Sequence, residues 1–179
     1  MRVIAGLVLS LVFRCSAFAQ VPKGNVFIGY SYLSEDTNTS GRANLNGWNG
    51  SLEGKVLPFL GIVADFGGHY GDRGAFCIAS VTGSACTKIN DKIYSALFGP
   101  RVSFSVHGVR PFAHVLIGIS HENLIGSTDN SFATAVGGGV DFKIVSFAGW
   151  RLKADALHTH FFNLGQTDLR VSTGLVLRF

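Results

Sequence analysis

The sequence predicts an all-β fold: an eight-stranded antiparallel up-and-down transmembrane β-barrel with long extracellular loops and short periplasmic turns. Two observations lead to this prediction. First, 47% of the residues are hydrophobic and 15% are charged, yet no apolar run after residue 19 has the ~20 residues that a membrane-spanning helix needs. Second, apolar and polar residues alternate along several segments, as they do where one face of a strand meets lipid and the other faces a polar lumen.

The alternation is clearest in the last strand, residues 169–179. Side chains of a strand point to opposite faces in turn, so odd and even positions separate here. The apolar face continues to the last residue, an aromatic one, which favours a strand that faces lipid. The two faces carry Leu169, Val171, Thr173, Leu175, Leu177 and Phe179 on one side, and Arg170, Ser172, Gly174, Val176 and Arg178 on the other.

Seven earlier segments show the same pattern and are separated by polar or turn-forming residues. Their length suits a tilted crossing of a bilayer, which takes about 9–11 residues. Long connections on one side and short turns on the other are the usual asymmetry of a transmembrane barrel. We expect strands at residues 25–33, 47–57, 60–70, 92–104, 111–120, 132–143, 147–157 and 169–179, short turns near 58–59, 107–108 and 145–146, and long loops at 34–46, 71–91, 121–131 and 158–168.

The first 19 residues indicate a secretory signal peptide that is cleaved before residue 20. A basic residue, Arg2, precedes an apolar run at residues 3–13, and Ala17-Phe18-Ala19 forms an Ala-x-Ala cleavage site. Residues 20–179 then form one barrel domain. Loss of Arg2 and Arg14 lowers Lys+Arg from 15 to 13 against 11 acids, a net charge of +2. With no basic cluster either, a nucleic-acid partner is not expected.

The last seven residues resemble the carboxy-terminal assembly signal of bacterial outer-membrane β-barrels. That signal has a polar residue, a glycine, an apolar residue and a terminal aromatic, here Thr173, Gly174, Leu177 and Phe179. Over residues 20–179 the chain resembles the OmpA-like, porin-family eight-stranded barrels. The resemblance implies the outer membrane of a Gram-negative-type bacterium, contact with outer-membrane lipid, and recognition of the last strand by the barrel-assembly machinery.

Charged residues of both signs fall on the polar faces of several strands. An eight-stranded barrel is just wide enough for side chains to fill it, and unpaired charges inside would be costly, so we expect ion pairs. The resemblance likewise implies a lumenal salt-bridge network that closes the pore. The residues of this network are Glu53, Lys55, Asp65, Arg101, Asp141, Arg151, Lys153 and Asp155, together with Arg170 and Arg178.

Cysteines and histidines offer little further chemistry. Cys77 and Cys86 remain after cleavage of the signal peptide and, in an exported protein, predict a disulfide bond within the second long loop. His158 and His160 share a strand face near the outer rim, where some outer-membrane lipid hydrolases carry a Ser/His/acid set. No serine and acid on adjacent strands can be named to complete that set. No cofactor and no metal site are expected.

The sequence therefore predicts a monomeric barrel without enzymatic activity. Its expected role is membrane integrity, or contact with an unidentified extracellular partner through the long loops. One alternative is a narrow, porin-like pore for small solutes. A lipid hydrolase that uses His158 or His160 is a further alternative, and a soluble lipocalin-like barrel would need the inverse arrangement of faces.

Overall fold

A computed structural model describes residues 23–37, 41–80, 83–124, 127–161 and 164–179, with the side chains at 35–43, 72–90, 124–127 and 160–165 excepted. The predicted signal peptide lies outside these residues. No helix in the described part of the chain is long and apolar enough to span a membrane. The strands are β1 (Gly24–Thr37), β2 (Gly41–Lys55), β3 (Leu60–Ser80), β4 (Gly83–Ser103), β5 (Val109–Leu124), β6 (Ser127–Lys143), β7 (Ala148–Phe161) and β8 (Leu164–Arg178).

The eight strands form one closed antiparallel barrel in sequence order. Each strand pairs with the next, and β8 pairs with β1. Following the Cα partners once around from Leu60 returns to the same strand at Tyr70, ten residues further along. For eight strands this stagger implies a tilt of roughly 40° and an interior that side chains can fill. The prediction of an up-and-down eight-stranded barrel is confirmed.

Three tight connections define one end of the barrel, called here the short-turn end. They occupy residues 56–59, 104–108 and 144–147. In the second, His107 (φ 46°) and Gly108 (φ 85°) both lie in the left-handed region, and Val106 and Val109 exchange two backbone hydrogen bonds of 2.8 and 2.9 Å. This is the two-residue hairpin whose twist matches the twist of its strands.

The opposite end, called the long-hairpin end, differs from the sequence prediction. Most of residues 34–46, 71–91, 121–131 and 158–168 are strand, so the expectation of four long loops is wrong there. The β3–β4 ladder continues to Ser80 and Gly83, with a register shift between Asp72 and Ala75. The sequence predicts a loop at residues 34–46, for example, because that segment is polar and contains glycine. Backbone hydrogen bonds continue a ladder without an apolar face, so that pattern does not mark where it ends.

The outer surface is apolar over the middle of every strand. Exposed side chains include Ile28, Leu52, Phe66, Phe98, Ile117, Val136, Leu152 and Leu175. A continuous exposed apolar surface of this kind is unusual for a protein in water and typical of one in lipid. The face assignment made from the alternation is the one that the structure has, with the apolar sides outward and Glu53, Asp65 and Arg101 inward.

A charge placed on this outer surface tests its environment. In a lipid bilayer, Val115→Lys is expected to lower the free energy of unfolding by about 2–4 kcal/mol, because Val115 is exposed in the middle of β5. Thr128→Lys, at the exposed long-hairpin end of β6, is the control and is expected to change it by less than about 0.5 kcal/mol. Urea unfolding in lipid vesicles measures both. Equal effects would contradict a lipid-facing surface at Val115.

Candidate functional site in the barrel lumen

All ten charged residues predicted for the lumen point into it. Eight of them are 0–1% exposed, and Lys55 and Arg178 are 11% and 20% exposed at the short-turn end. Together with His114 and Arg110, they form two groups at different heights. One lies halfway along the barrel and is called the central cluster: Asp65, His114, Lys153, Asp155 and Arg170. The other lies nearer the short turns and is called the mouth cluster: Glu53, Lys55, Arg101, Arg110, Asp141, Arg151 and Arg178.

The central cluster is a closed set of ion pairs with balanced charge. Arg170 contacts Asp65 (Nη1–Oδ1, 3.0 Å) and donates to Asp155 (Nη2–Oδ2, 2.7 Å). Lys153 Nζ lies 2.6 Å from Asp65 Oδ2 and 3.3 Å from Asp155 Oδ2. Each carboxylate therefore contacts both cations. At a site where all four side chains are almost fully buried, this sharing offsets the cost of burying the four charges.

Neighbouring polar groups complete the central cluster. His114 Nε2 lies 2.8 Å from Asp155 Oδ1, and Asn49 Nδ2 donates to Asp65 Oδ1 at 2.9 Å. Gly137 leaves room for the carboxylate, because a Cβ atom at this position would lie 2.4 Å from Asp155 Oδ1. The three consecutive glycines of β6 are therefore partly explained by the close approach of β7.

The mouth cluster is built around two carboxylates. Glu53 contacts Lys55 (2.9 Å), Arg101 (3.0 Å) and Arg110 (3.7 Å). Asp141 accepts two hydrogen bonds from Arg151, from Nε at 2.6 Å and from Nη2 at 2.9 Å. Sequence reasoning missed Arg110, because it precedes the predicted start of β5. Its register partner, the inward-facing Asp141, would have identified it.

Two inward aromatic rings pack against the buried guanidinium groups. The Phe112 ring lies 4.4 Å from Arg101 Cζ and 4.8 Å from Arg151 Cζ, and the Phe27 ring lies 5.2 Å from Arg151 Cζ. The negative face of an aromatic ring attracts a cation, and this attraction strengthens when water is absent. The rings therefore stabilise neighbouring positive charges that the carboxylates of Glu53 and Asp141 alone do not neutralise.

The expectation of a polar lumen is wrong on the long-hairpin side of the charges. There the interior contains a group called the apolar layer: Leu33, Leu45, Ile93, Leu97, Leu116, Ala133, Ala135 and Leu157, each 0–2% exposed. Val63 is equally buried but lies nearer the short turns, two residues before Asp65 on β3. A polar lumen is typical of water-filled barrels, whereas an eight-stranded barrel fills its interior with side chains. Asp91, Glu122 and Asp168 are also buried in the lumen, nearer the long-hairpin end than most of this layer.

Of the histidine and cysteine candidates, only His158 has a side chain that the structure describes. His158 is exposed, with Nδ1 3.0 Å from Thr167 Oγ1, while the His160 side chain is outside the described residues. Cys77 and Cys86 are direct register partners between β3 and β4, and their side chains are likewise outside the described residues.

The assembly-signal residues lie on the strand that closes the barrel. Thr173 Oγ1 accepts a hydrogen bond from Trp150 Nε1 (2.9 Å), and Gly174 is the register partner of Gly29. Leu177 and Phe179 are exposed on the outer face. Among the side chains that the structure describes, no group of three histidine, cysteine, aspartate or glutamate residues is arranged to hold a metal ion.

A closed barrel of eight antiparallel strands with an apolar outside and a filled lumen is the fold of the eight-stranded outer-membrane β-barrels. The chain is similar to Neisserial surface protein A (NspA), with a TM-score of 0.69 and 14% identity over 87% of this chain and 97% of that one. It is also similar to Ail, the attachment invasion locus protein of Yersinia pestis, with a TM-score of 0.61 and 17% identity over 88% of this chain and 99% of that one. A third similar structure is OprG of Pseudomonas aeruginosa, with a TM-score of 0.60 and 8% identity over 88% of this chain and 96% of that one. No protein-family model and no curated protein sequence matches the chain.

Removing one carboxylate from the central cluster tests its energetic role. Asp155→Asn leaves Arg170, Lys153 and Asp65 with one positive charge in excess, so we expect a loss of about 3–5 kcal/mol in the free energy of unfolding. The double variant Asp155→Asn/Lys153→Met restores the balance and is expected to recover part of that loss. Denaturant unfolding followed by tryptophan fluorescence measures both. Additive losses in the double variant would refute the coupling.

Proposed function

We propose that this protein is a closed outer-membrane β-barrel that contributes to membrane integrity or makes surface contacts through its long hairpins. The observation that carries the proposal is the filled lumen. The mouth cluster, the central cluster and the apolar layer follow one another along the barrel axis, and their side chains are almost entirely buried.

A conducting path would have to disrupt two kinds of packing. An ion would need to separate the pairs that Arg170 makes with Asp65 and Asp155, leaving charges buried without partners, which costs several kcal/mol. It would then have to cross the apolar layer, where Leu33, Leu116 and Leu157 offer no polar group. Both barriers favour a barrel that does not conduct.

The surface role rests on the long-hairpin end. β3 continues ten residues beyond Tyr70, and β4 begins eight residues before Asp91, which gives the longest hairpin among the described residues of the barrel. NspA is by name a surface protein, and Ail is by name an attachment and invasion protein. By analogy, the hairpin tips are the proposed contact surface for an extracellular partner that we do not identify.

The proposal includes export and assembly. Residues 1–19 direct export and are removed, and the mature chain inserts into the outer membrane of a Gram-negative-type bacterium with its apolar belt in lipid. The barrel-assembly machinery recognises the last strand through Thr173, Gly174, Leu177 and Phe179. The inserted protein is a monomer, since closure of the sheet leaves no edge strand for another copy to pair with.

Current across a planar lipid bilayer tests the closed lumen. The refolded chain of residues 20–179 is expected to give no steady conductance, because its lumen is filled. A heat-shifted gel band must first show that the barrel has folded, and an open porin in the same bilayer is the positive control. Steady conductance that changes in Glu53→Gln would contradict the structural role and support the narrow, porin-like pore. Release of fatty acid that is lost in His158→Ala would instead support the lipid hydrolase.

We further propose a disulfide between Cys77 and Cys86, which are direct partners in the β3–β4 ladder. Directly opposed residues of antiparallel strands have Cα atoms about 4.5–5.5 Å apart, within the range that a disulfide bridges. The folded mature protein is expected to bind no thiol reagent until it is reduced, as measured by mass spectrometry. Cys77→Ser is the control and is expected to expose one reactive thiol, Cys86. Two reactive thiols in the unreduced protein would exclude the bond.

A further inference from the structure

Charge is distributed unevenly along the barrel axis. Near the short-turn end, seven cationic residues stand against two acids: Lys23, Lys55, Arg101, Arg110, Lys143, Arg151 and Arg178 against Glu53 and Asp141. The central cluster has two lysine or arginine residues and two acids. The long-hairpin part has four cationic residues, Arg42, Arg73, Lys88 and Lys92, and seven acids, Glu35, Asp36, Asp72, Asp91, Glu122, Asp129 and Asp168. The positive excess is thus confined to one end.

Part of this excess is buried. Two carboxylates, Glu53 and Asp141, pair with five lumenal cationic residues. Among these five, Arg101 and Arg151 are almost fully buried. Arginine stays protonated in proteins, so the excess cannot be removed by loss of protons from these two groups. The rings of Phe27 and Phe112 reduce the repulsion but bring no negative charge. An anion at the mouth would complete the balance that the central cluster achieves by itself.

One part of the mouth has the groups that such an anion needs. Lys55 Nζ donates to Ser103 Oγ at 2.6 Å, and Arg110 donates to the same oxygen from Nε (3.2 Å) and Nη2 (3.0 Å). Because Ser103 Oγ accepts from both cations, its own hydrogen is left to donate. Lys55 and Arg110 are 11% and 16% exposed, so a solute at the short-turn end can reach them.

The carboxylate of Glu53, next to these groups, contacts three cationic side chains. Glu53 Oε1 lies 2.9 Å from Lys55 Nζ and 3.7 Å from Arg110 Nη2, whereas Oε2 faces Arg101 at 3.0 Å. The longest of these contacts is to Arg110, so its guanidinium group is the least neutralised of the three. A guanidinium fork next to an ammonium and a hydroxyl group suits a tetrahedral oxyanion with several acceptor oxygens.

We propose that the mouth of the lumen at the short-turn end binds a phosphate-type oxyanion through Lys55, Arg110 and Ser103. The oxyanion is either free inorganic phosphate or the phosphate of an anionic lipid headgroup in the adjacent leaflet. Binding there neutralises the excess positive charge and stabilises the barrel. This site does not depend on whether the lumen conducts, so its test is independent of the current measurement.

The test is titration of the folded chain, residues 20–179, with inorganic phosphate in non-ionic micelles at constant ionic strength set by sodium chloride. Calorimetry and the unfolding temperature report binding. Phosphate is expected to bind and to raise the unfolding temperature, and Lys55→Gln/Arg110→Gln is expected to weaken binding at least about tenfold, because it removes both charged donors. Lys92→Gln, an exposed lysine of β4 near the long-hairpin end, is the matched control and is expected to leave binding unchanged.

A second arm identifies the source of the oxyanion. The same proteins are unfolded in phosphatidylcholine vesicles with and without phosphatidylglycerol. Stabilisation by phosphatidylglycerol that the double variant loses, without binding of free phosphate, assigns the site to a lipid headgroup. If the double variant does not fold, Arg110→Gln alone replaces it, since Lys55 and Arg101 still pair with Glu53. No response to either probe beyond that to chloride, or an equal response in the variants that lack Arg110, overturns the proposal.

Discussion

Closure of the sheet is the constraint on which the rest of this structure depends. Eight strands with a stagger of ten residues enclose an interior that side chains fill. The inward charged groups then find their partners mainly among other inward groups, because these side chains are almost fully buried. The ion pairs of Arg170 with Asp65 and Asp155 join side chains from β3, β7 and β8, which closure alone brings together. The apolar exterior follows from the same constraint, since outward side chains need no polar partners except at the two ends of the barrel.

The interior is divided by chemistry along the barrel axis. Most of the charged lumenal groups lie in the half near the short turns, the apolar layer lies on their long-hairpin side, and Asp91, Glu122 and Asp168 are buried beyond most of that layer. The layer covers the long-hairpin side of the central cluster, and low local polarity strengthens each ion pair within the cluster. Breaking the layer and breaking the ion pairs are therefore coupled events.

The sequence contained more information on the face of each residue than on the length of each strand. Alternation identified the inward position of Glu53, Asp65 and Arg101 because a charge on the lipid side is costly. It did not identify where β3 and β4 end, because the backbone hydrogen bonds that extend a ladder need no alternating pattern of side chains. The apolar layer was missed for a related reason. In the sequence, a leucine that packs inside the lumen cannot be distinguished from a leucine at the end of the outward face of a strand.

By itself, then, the sequence determined the barrel, its eight strands, its short turns and the set of charged residues that avoids lipid. These depend on local periodicity, which every segment carries within its own residues. Only the tertiary structure decided which charges meet, because partners such as Lys153 and Asp65 are 88 residues apart and are joined by the register of several strands. It also decided that the mouth cluster is short of carboxylates, since a local surplus of charge is visible only when distant residues occupy one space.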